Sequence, residues 1–129
     1  MRLLPGTHAV LWWLDDDGRL GPAARALVAN PGNDVLVSAV SLWEIALKVR
    51  IGKLAANVGA VLAAVDADFT VLPITGAHLL ELGRLPLLPG HKDPFDHLLI
   101  AQALAEGVAF MSADGHVADY PVQQVACSA

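Results

Sequence analysis

Residues 93–114 read DPFDHLLIAQALAEGVAFMSAD, and this stretch decides the architecture. Asp93-Pro94 marks a helix start, because Pro suits a first helical turn and an acid there favours the positive end of the helix dipole. Leu98, Leu99, Ala101, Gln102 and Ala105 carry the helix to its stop at Gly107. Val108–Met111 follows at once as a short apolar strand, and Ser112-Ala113-Asp114 leaves it. A helix feeding a buried strand with no linker between them is the building unit of an α/β fold.

The same alternation continues outward. Arg2–Leu4 reads as a strand stopped by Pro5-Gly6, with Thr7 as N-cap of a short helix carrying Leu11, Trp12 and Leu14. Asp15-Asp16-Asp17-Gly18 ends that helix, Pro22 opens another over Ala23–Ala29, and Asn30–Asn33 is a turn. Val35–Val37 is brief and β-branched, as a buried parallel strand should be. Ser41 and Glu44 form a capping-box pattern ahead of Leu42, Ile45, Ala46 and Val49, ending at Gly52. Asn57–Val65 reads as a helix, Thr70–Leu72 as a strand, Thr75–Leu82 as a short helix, Pro86–Lys92 as a loop and Val122–Val125 as the last strand. The expectation is an α/β domain with a central parallel sheet of four to five strands flanked by helices. Right-handed crossovers gather the C-terminal strand ends on one edge, where ligands bind in such sheets.

Composition narrows the function classes. The 129 residues, 55% hydrophobic with net charge −5, suit one folded domain over 1–129 and exclude disorder. No apolar stretch reaches the roughly 20 residues of a membrane span, and Pro5-Gly6 breaks the opening run too soon for a secretory signal. Cys127 is the only cysteine, so no disulfide framework exists and a reducing cytoplasm is expected. The acidic balance argues against coating nucleic acid by bulk charge. A mean hydropathy of +0.52 leaves apolar surface for a homodimer or a dedicated partner.

Glu44, Asp93, Asp96 and Asp114 all fall after strands or at helix starts on that edge. Oxygen-only clusters of this kind bind Mg²⁺ or Mn²⁺, and unpaired acids need such a counter-ion. Each acid also has a plainer reading. Glu44 serves as a capping acid or as the i,i+4 partner of Lys48, Asp93 and Asp96 as helix-start acids, and Asp114-Gly115 as a turn.

The run His91-Lys92-Asp93-Pro94-Phe95-Asp96-His97-Leu98-Leu99-Ile100-Ala101-Gln102-Ala103 closely resembles the signature of PIN-domain ribonucleases of the VapC toxin type. Ser41–Lys48 resembles their Glu-bearing helix, and Thr7-His8, Leu72–Thr75 and Ser112–Asp114 fall in the same order. The resemblance implies a PIN fold and a Mg²⁺- or Mn²⁺-dependent endoribonuclease toxin acting on single-stranded or structured RNA. It also implies a small VapB-type antitoxin as partner, commonly offering an Arg to the acidic pocket, and usually a homodimer. By the family pattern Glu44, Asp96 and Asp114 are the catalytic metal acids, with Asp93 close by and Thr7 and Ser112 in support.

One position departs from that pattern. The family carries an Asp directly before Thr-His, and Gly6 stands there, offering no ligand oxygen. Losing even an indirect partner of a metal costs roughly 10–100-fold in affinity or activity. The expectation is weak metal binding with little or no nuclease activity. The alternative is a non-catalytic module that only binds an antitoxin or dimerises. Asp15–Asp17 lie about 10 Å away along the helix and do not replace the lost acid.

Lys48, Arg50 and Lys92 are candidates for touching RNA phosphate, with Lys53 and Arg84 behind them; equally, Lys48, Arg50 and Lys53 form a solvated helix end. Trp12, Trp13 and Trp43 read as core or interface. His8, His91, His97 and His116 lack His-x-x-x-His spacing, which argues against a zinc enzyme. No phosphate-binding loop, dinucleotide fingerprint or nucleophile elbow occurs.

Overall fold

A computed structural model describes residues 1–91 and 93–129; Lys92, one of the candidate phosphate contacts, lies outside the described residues. Five strands form one parallel sheet in the order β3-β2-β1-β4-β5. They are β1 (Arg2–Pro5), β2 (Asp34–Ser38), β3 (Thr70–Leu72), β4 (Ala109–Ser112) and β5 (Gln124–Ala126). Six helices connect and cover them: α1 (Thr7–Leu14), α2 (Pro22–Ala29), α3 (Ala39–Arg50), α4 (Val58–Asp68), α5 (Gly76–Arg84) and α6 (Pro94–Glu106). None is long and apolar enough to cross a membrane among the described residues.

β1 is the central strand, and it runs one residue further than its sequence suggests. Its pairing with β2 ends at Leu3 opposite Val35, so Pro5 withholds no bond on that side. On the other side Pro5 lies opposite Met111, and the Gly6 N–H donates to the Met111 carbonyl at 2.8 Å. Leu3 and Leu4 point to opposite faces, as the strand period of two requires. Leu4 joins Leu36, Leu98, Leu99, Ile100 and Phe110 beneath α6, while Leu3 joins Ala9, Leu20, Ala24, Met111 and Cys127 beneath α1 and α2. Both faces of the sheet are covered, hence strands without polar alternation.

Three boundary expectations are corrected. Thr7 is the first helical residue and Gly6 the cap, because the Thr7 hydroxyl is engaged elsewhere. α3 starts at Ala39, capped by the Ser38 hydroxyl, which accepts from the Val40 N–H at 3.0 Å. Ser41 therefore sits inside the first turn, fully buried, and forms no capping box with Glu44. The last strand is Gln124–Ala126, shifted along the chain from Val122–Val125, because its register is set by Met111 opposite Val125 and Ser112 opposite Ala126.

Two polar devices fix the layers. Gln102, fully buried on α6, accepts from the Ser38 hydroxyl and donates to the Pro73 carbonyl at 3.4 Å, joining α6 to the ends of β2 and β3. Such a buried amide is tolerated only because it is satisfied. At the chain end the Ala129 carbonyl accepts from Ala23 and Ala24 at the start of α2. That approach needs glycine at position 21, where a Cβ would lie 2.2 Å from the Ala129 oxygen.

Candidate metal centre

Where β1 and β4 lie side by side, their connections leave toward opposite edges of the sheet, and a crevice opens past their C-terminal ends. Gly6-Thr7 enters α1 from β1, Ser112–Asp114 leaves β4, and the N-terminus of α6 brings Asp93 and Asp96. Together Gly6, Thr7, Asp93, Asp96, Ser112 and Asp114 line a cavity of about 260 Å³. A larger open hollow of about 630 Å³ lies at the other edge, by the starts of β2 and β3. It brings no such group of acids together.

The acids differ in how they are held. Asp93 caps α6, its Oδ1 accepting from the Phe95 N–H at 2.9 Å and the Asp96 N–H at 3.4 Å. Asp96 and Asp114 meet across the cavity wall. Burial, the charge of Asp93 and a carboxyl contact with Asp114 push Asp96 up to about 6. Burial acts the same way on Asp114, but the His116 N–H and imidazole and the Asp96 carboxyl outweigh it and hold Asp114 below the usual range. Two acids sharing a site thus separate into an easy and a reluctant anion. The Ser112 hydroxyl accepts from the Asp114 N–H at 3.0 Å, which fixes the acid's backbone.

Glu44 stands apart from this pair. It is buried on α3, and its carboxylate accepts from the Thr7 hydroxyl at 2.6 Å and from Lys48 Nζ at 2.6 Å. The Thr7 oxygen also lies 3.2 Å from the Ser41 hydroxyl. Glu44 is not part of the cavity lining and reaches it through Thr7. The i,i+4 reading of Glu44 and Lys48 is therefore realised.

Lys48 faces a second hollow of about 280 Å³ with Thr7, His8, Trp12, Arg19 and Lys53, and the two hollows share Thr7 and His8. Arg50 is exposed at the last turn of α3 and lines neither. Asp17 is drawn to Arg19 at 2.8 Å and Asp16 to Arg25 at 2.8 Å, so neither substitutes for the acid missing at position 6. Arg84 lies 3.4 Å from Glu81. Trp12 and Trp13 pack against the core beneath α1 and α2, whereas Trp43 is half exposed, edge-on to Phe95 at 4.9 Å.

Sequence spacing missed His91. Its ring is 5% exposed and lies behind Asp96 and Asp114, with Nε2 3.5 Å from Asp96 Oδ2 and 3.2 Å from Asp114 Oδ2. Nδ1 is 2.8 Å from the Tyr120 hydroxyl, while Nε2 has no hydrogen-bond partner. His91 comes from the loop before α6 and one of its acids from beyond β4, so no local motif could reveal the trio. The ring stacks on His116 at 5.2 Å and meets His97 edge-on at 4.8 Å.

The vacant position is structurally ordinary. Gly6 has φ −69° and ψ 173°, extended backbone open to any residue. A Cβ there would lie 3.3 Å from the Met111 carbonyl and 3.5 Å from the Phe110 ring, so a side chain enters with a shift of a few tenths of an ångström.

Comparison with known proteins agrees with this fold. The family model described as PIN domain matches residues 4–122. The fold is similar to a chain of VapBC2 from Rickettsia felis, solved bound to a DNA fragment from its promoter, with TM-score 0.78, 16% identity and 98% of each chain covered. It is similar to a chain of VapBC-1 from nontypeable Haemophilus influenzae, with TM-score 0.71, 15% identity and 100% of each chain covered. DNA-bound VapBC from Salmonella typhimurium gives TM-score 0.69 at 12% identity over 98% of each chain. No curated protein sequence matches.

Proposed function

Because the chain belongs to the PIN domain family, a family of nucleases, we propose that it is a metal-dependent endoribonuclease toxin whose activity is strongly reduced, paired with a VapB-type antitoxin in the cytoplasm. The observation that carries this reading is the crevice in which Asp96 and Asp114 face the vacant position of Gly6. The donor set suits a divalent cation, since Asp96 and Asp114 share the crevice wall and the buried His91 imidazole lies behind them, its donor atom within 4.8 Å of theirs. Mg²⁺ or Mn²⁺ bound by Asp96 and Asp114 would supply water activation and charge neutralisation at a phosphodiester.

The chain's own groups have separate tasks in this scheme. Asp93 orients the first turn of α6 and deepens the negative potential that attracts a cation. Ser112 holds Asp114, and Glu44 fixes the Thr7 hydroxyl at the cavity wall. Lys48 and Lys53 in the neighbouring hollow, with Arg50 between them in sequence, offer positive charge to RNA phosphates, and Lys92, next to Asp93 in the chain, is assigned the same role. With glycine at position 6 the cation loses an oxygen donor, and catalysis falls further than partner binding does.

The matched structures are VapBC assemblies, which supports an antitoxin partner here. Exposed Trp43, Leu79, Leu80 and Leu87 give the apolar surface for that partner or for a homodimer. A second reading, a purely binding PIN module, is favoured by Gly6 itself. Cleavage of RNA with Mg²⁺ by the chain and by Gly6→Asp separates the two. Activity gained by Gly6→Asp supports a weakened nuclease, and activity absent from both leaves the binding module. Equal activity in both refutes the role given to position 6.

A further inference from the structure

The cavity acids have an unusual neighbour. Among the described residues, His91 Nε2 is the only buried side-chain nitrogen or oxygen without a hydrogen-bond partner. A buried ring nitrogen whose carboxylate contacts fall short of hydrogen-bond geometry is poorly satisfied, so its placement calls for a reason. It does not point into apolar packing. It points between two carboxylate oxygens at 3.2 and 3.5 Å, and the three donor atoms lie within 4.8 Å of one another. Donors each about 2.0–2.2 Å from a shared tetrahedral ion stand roughly 3.4 Å apart. The separations of His91 from both acids match that spacing.

The other ring nitrogen supports the same assignment. A metal-bound imidazole usually hands its second N–H to a fixed acceptor, which settles the tautomer and aims the lone pair. Tyr120, anchored just beyond the 3-10 turn Gly115–Asp119, places its hydroxyl 2.8 Å from Nδ1. With Nδ1–H donating to Tyr120, the Nε2 lone pair faces Asp96 and Asp114. The ring is held in place by His116 stacked on one face and His97 at its edge, while His97 Nε2 bonds the His91 carbonyl at 2.9 Å.

We propose that His91 Nε2 is itself a metal ligand, restoring with Asp96 and Asp114 the donor count lost at position 6 and biasing the centre toward Co²⁺ or Zn²⁺ over Mg²⁺. The inference rests on the reading of Asp96 and Asp114 as metal acids and adds the nitrogen donor to it. The bias follows from ligand chemistry: imidazole suits zinc and its late first-row neighbours, whereas Mg²⁺ takes oxygen donors and keeps its waters. Replacing an absent carboxylate by an imidazole therefore changes which ion the site prefers.

The test is calorimetry of the full chain with Co²⁺, Zn²⁺ and Mg²⁺, repeated on His91→Asn, Asp114→Asn and His116→Ala. We expect Co²⁺ and Zn²⁺ to bind the chain at least about tenfold more tightly than Mg²⁺, in the order set by late first-row affinity. His91→Asn should remove that preference and leave weak Mg²⁺ binding, His116→Ala, which loosens the stacked ring and the hold on Asp114, should reduce it less than His91→Asn does, and Asp114→Asn should lose all three ions. A preference unchanged in His91→Asn overturns the inference while the metal reading of the acids stands. Binding of no divalent ion, or binding untouched by Asp114→Asn, overturns both. Should His91→Asn fail to fold, ¹⁵N spectra of histidine-labelled chain with Zn²⁺ decide: metal-induced displacement of one buried ring's Nε2 supports the proposal, and five unchanged rings refute it.

Discussion

Glu44, buried, and Asp96, partly buried, are acids beside the same threonine-lined crevice, yet their surroundings differ in kind. Glu44 has its counter-charge built into its own helix, with Lys48 at 2.6 Å and the Thr7 hydroxyl at 2.6 Å. Among the described residues Asp96 has no lysine or arginine in contact; it faces another acid, with an imidazole nitrogen at 3.5 Å. An acid whose charge is already answered by the chain contributes to the fold; an acid left beside another acid is a place for something from solution. On this difference we propose Glu44 as a positioning acid and Asp96 as a ligating one, where sequence treated them alike.

Four experiments break or sharpen that contrast. The largest effect is expected at position 6. Gly6→Asp adds an oxygen to the Asp96 side and should raise Mg²⁺ affinity by about 100-fold, measured by calorimetry, since a direct ligand is worth at least what an indirect one is. An unchanged affinity would mean the crevice is not a cation site. Next, Cys127 offers a reporter of folding for every variant. It is buried under β5, and burial pushes its thiol up to about 11. The folded chain then holds less thiolate at any pH below that value, so alkylation at pH 8 should run about 100-fold slower than for a free thiol. A variant that reacts fast has lost its fold rather than its ligand.

Glu44→Gln comes third. It keeps a hydrogen bond to Thr7 but strands the Lys48 ammonium, and should lower stability by about 1–3 kcal/mol in denaturant unfolding. Its effect on divalent-ion affinity should be smaller than that of Asp114→Asn. The reverse ranking would move Glu44 into the ligand set. Last comes Lys48→Met, which removes a side chain 37% exposed but leaves the Glu44 carboxylate, 4% exposed, with Thr7 as its partner; unfolding should show a loss of about 1–3 kcal/mol.

Much of this contrast lay beyond the reach of a linear reading. The alternation of helix and strand was legible, because Pro94, Gly107 and the apolar runs between them act locally, and so was the edge on which the site lies. The Lys48 partner of Glu44 was legible as well, since one helical turn separates them. The start of α3 was not, because Ser38 and Ser41 are equally good caps and only packing of Ser41 against Thr7 decides between them. Pro5 looked like a strand stop for want of knowing where β1 and β2 part. His91 was the largest omission. Its partners are supplied by α6 and by the segment after β4, and a motif search sees spacing along the chain rather than proximity across a fold.

The plain backbone at Gly6 has an evolutionary corollary. Every glycine codon becomes an aspartate or glutamate codon by one base change at its middle position. The residue's φ and ψ demand no glycine, so that change asks of the fold only that the Met111 carbonyl give by a few tenths of an ångström. On the proposed reading of the crevice, a single point mutation would then add or remove the acid at position 6 while the rest of the scaffold stays as it is.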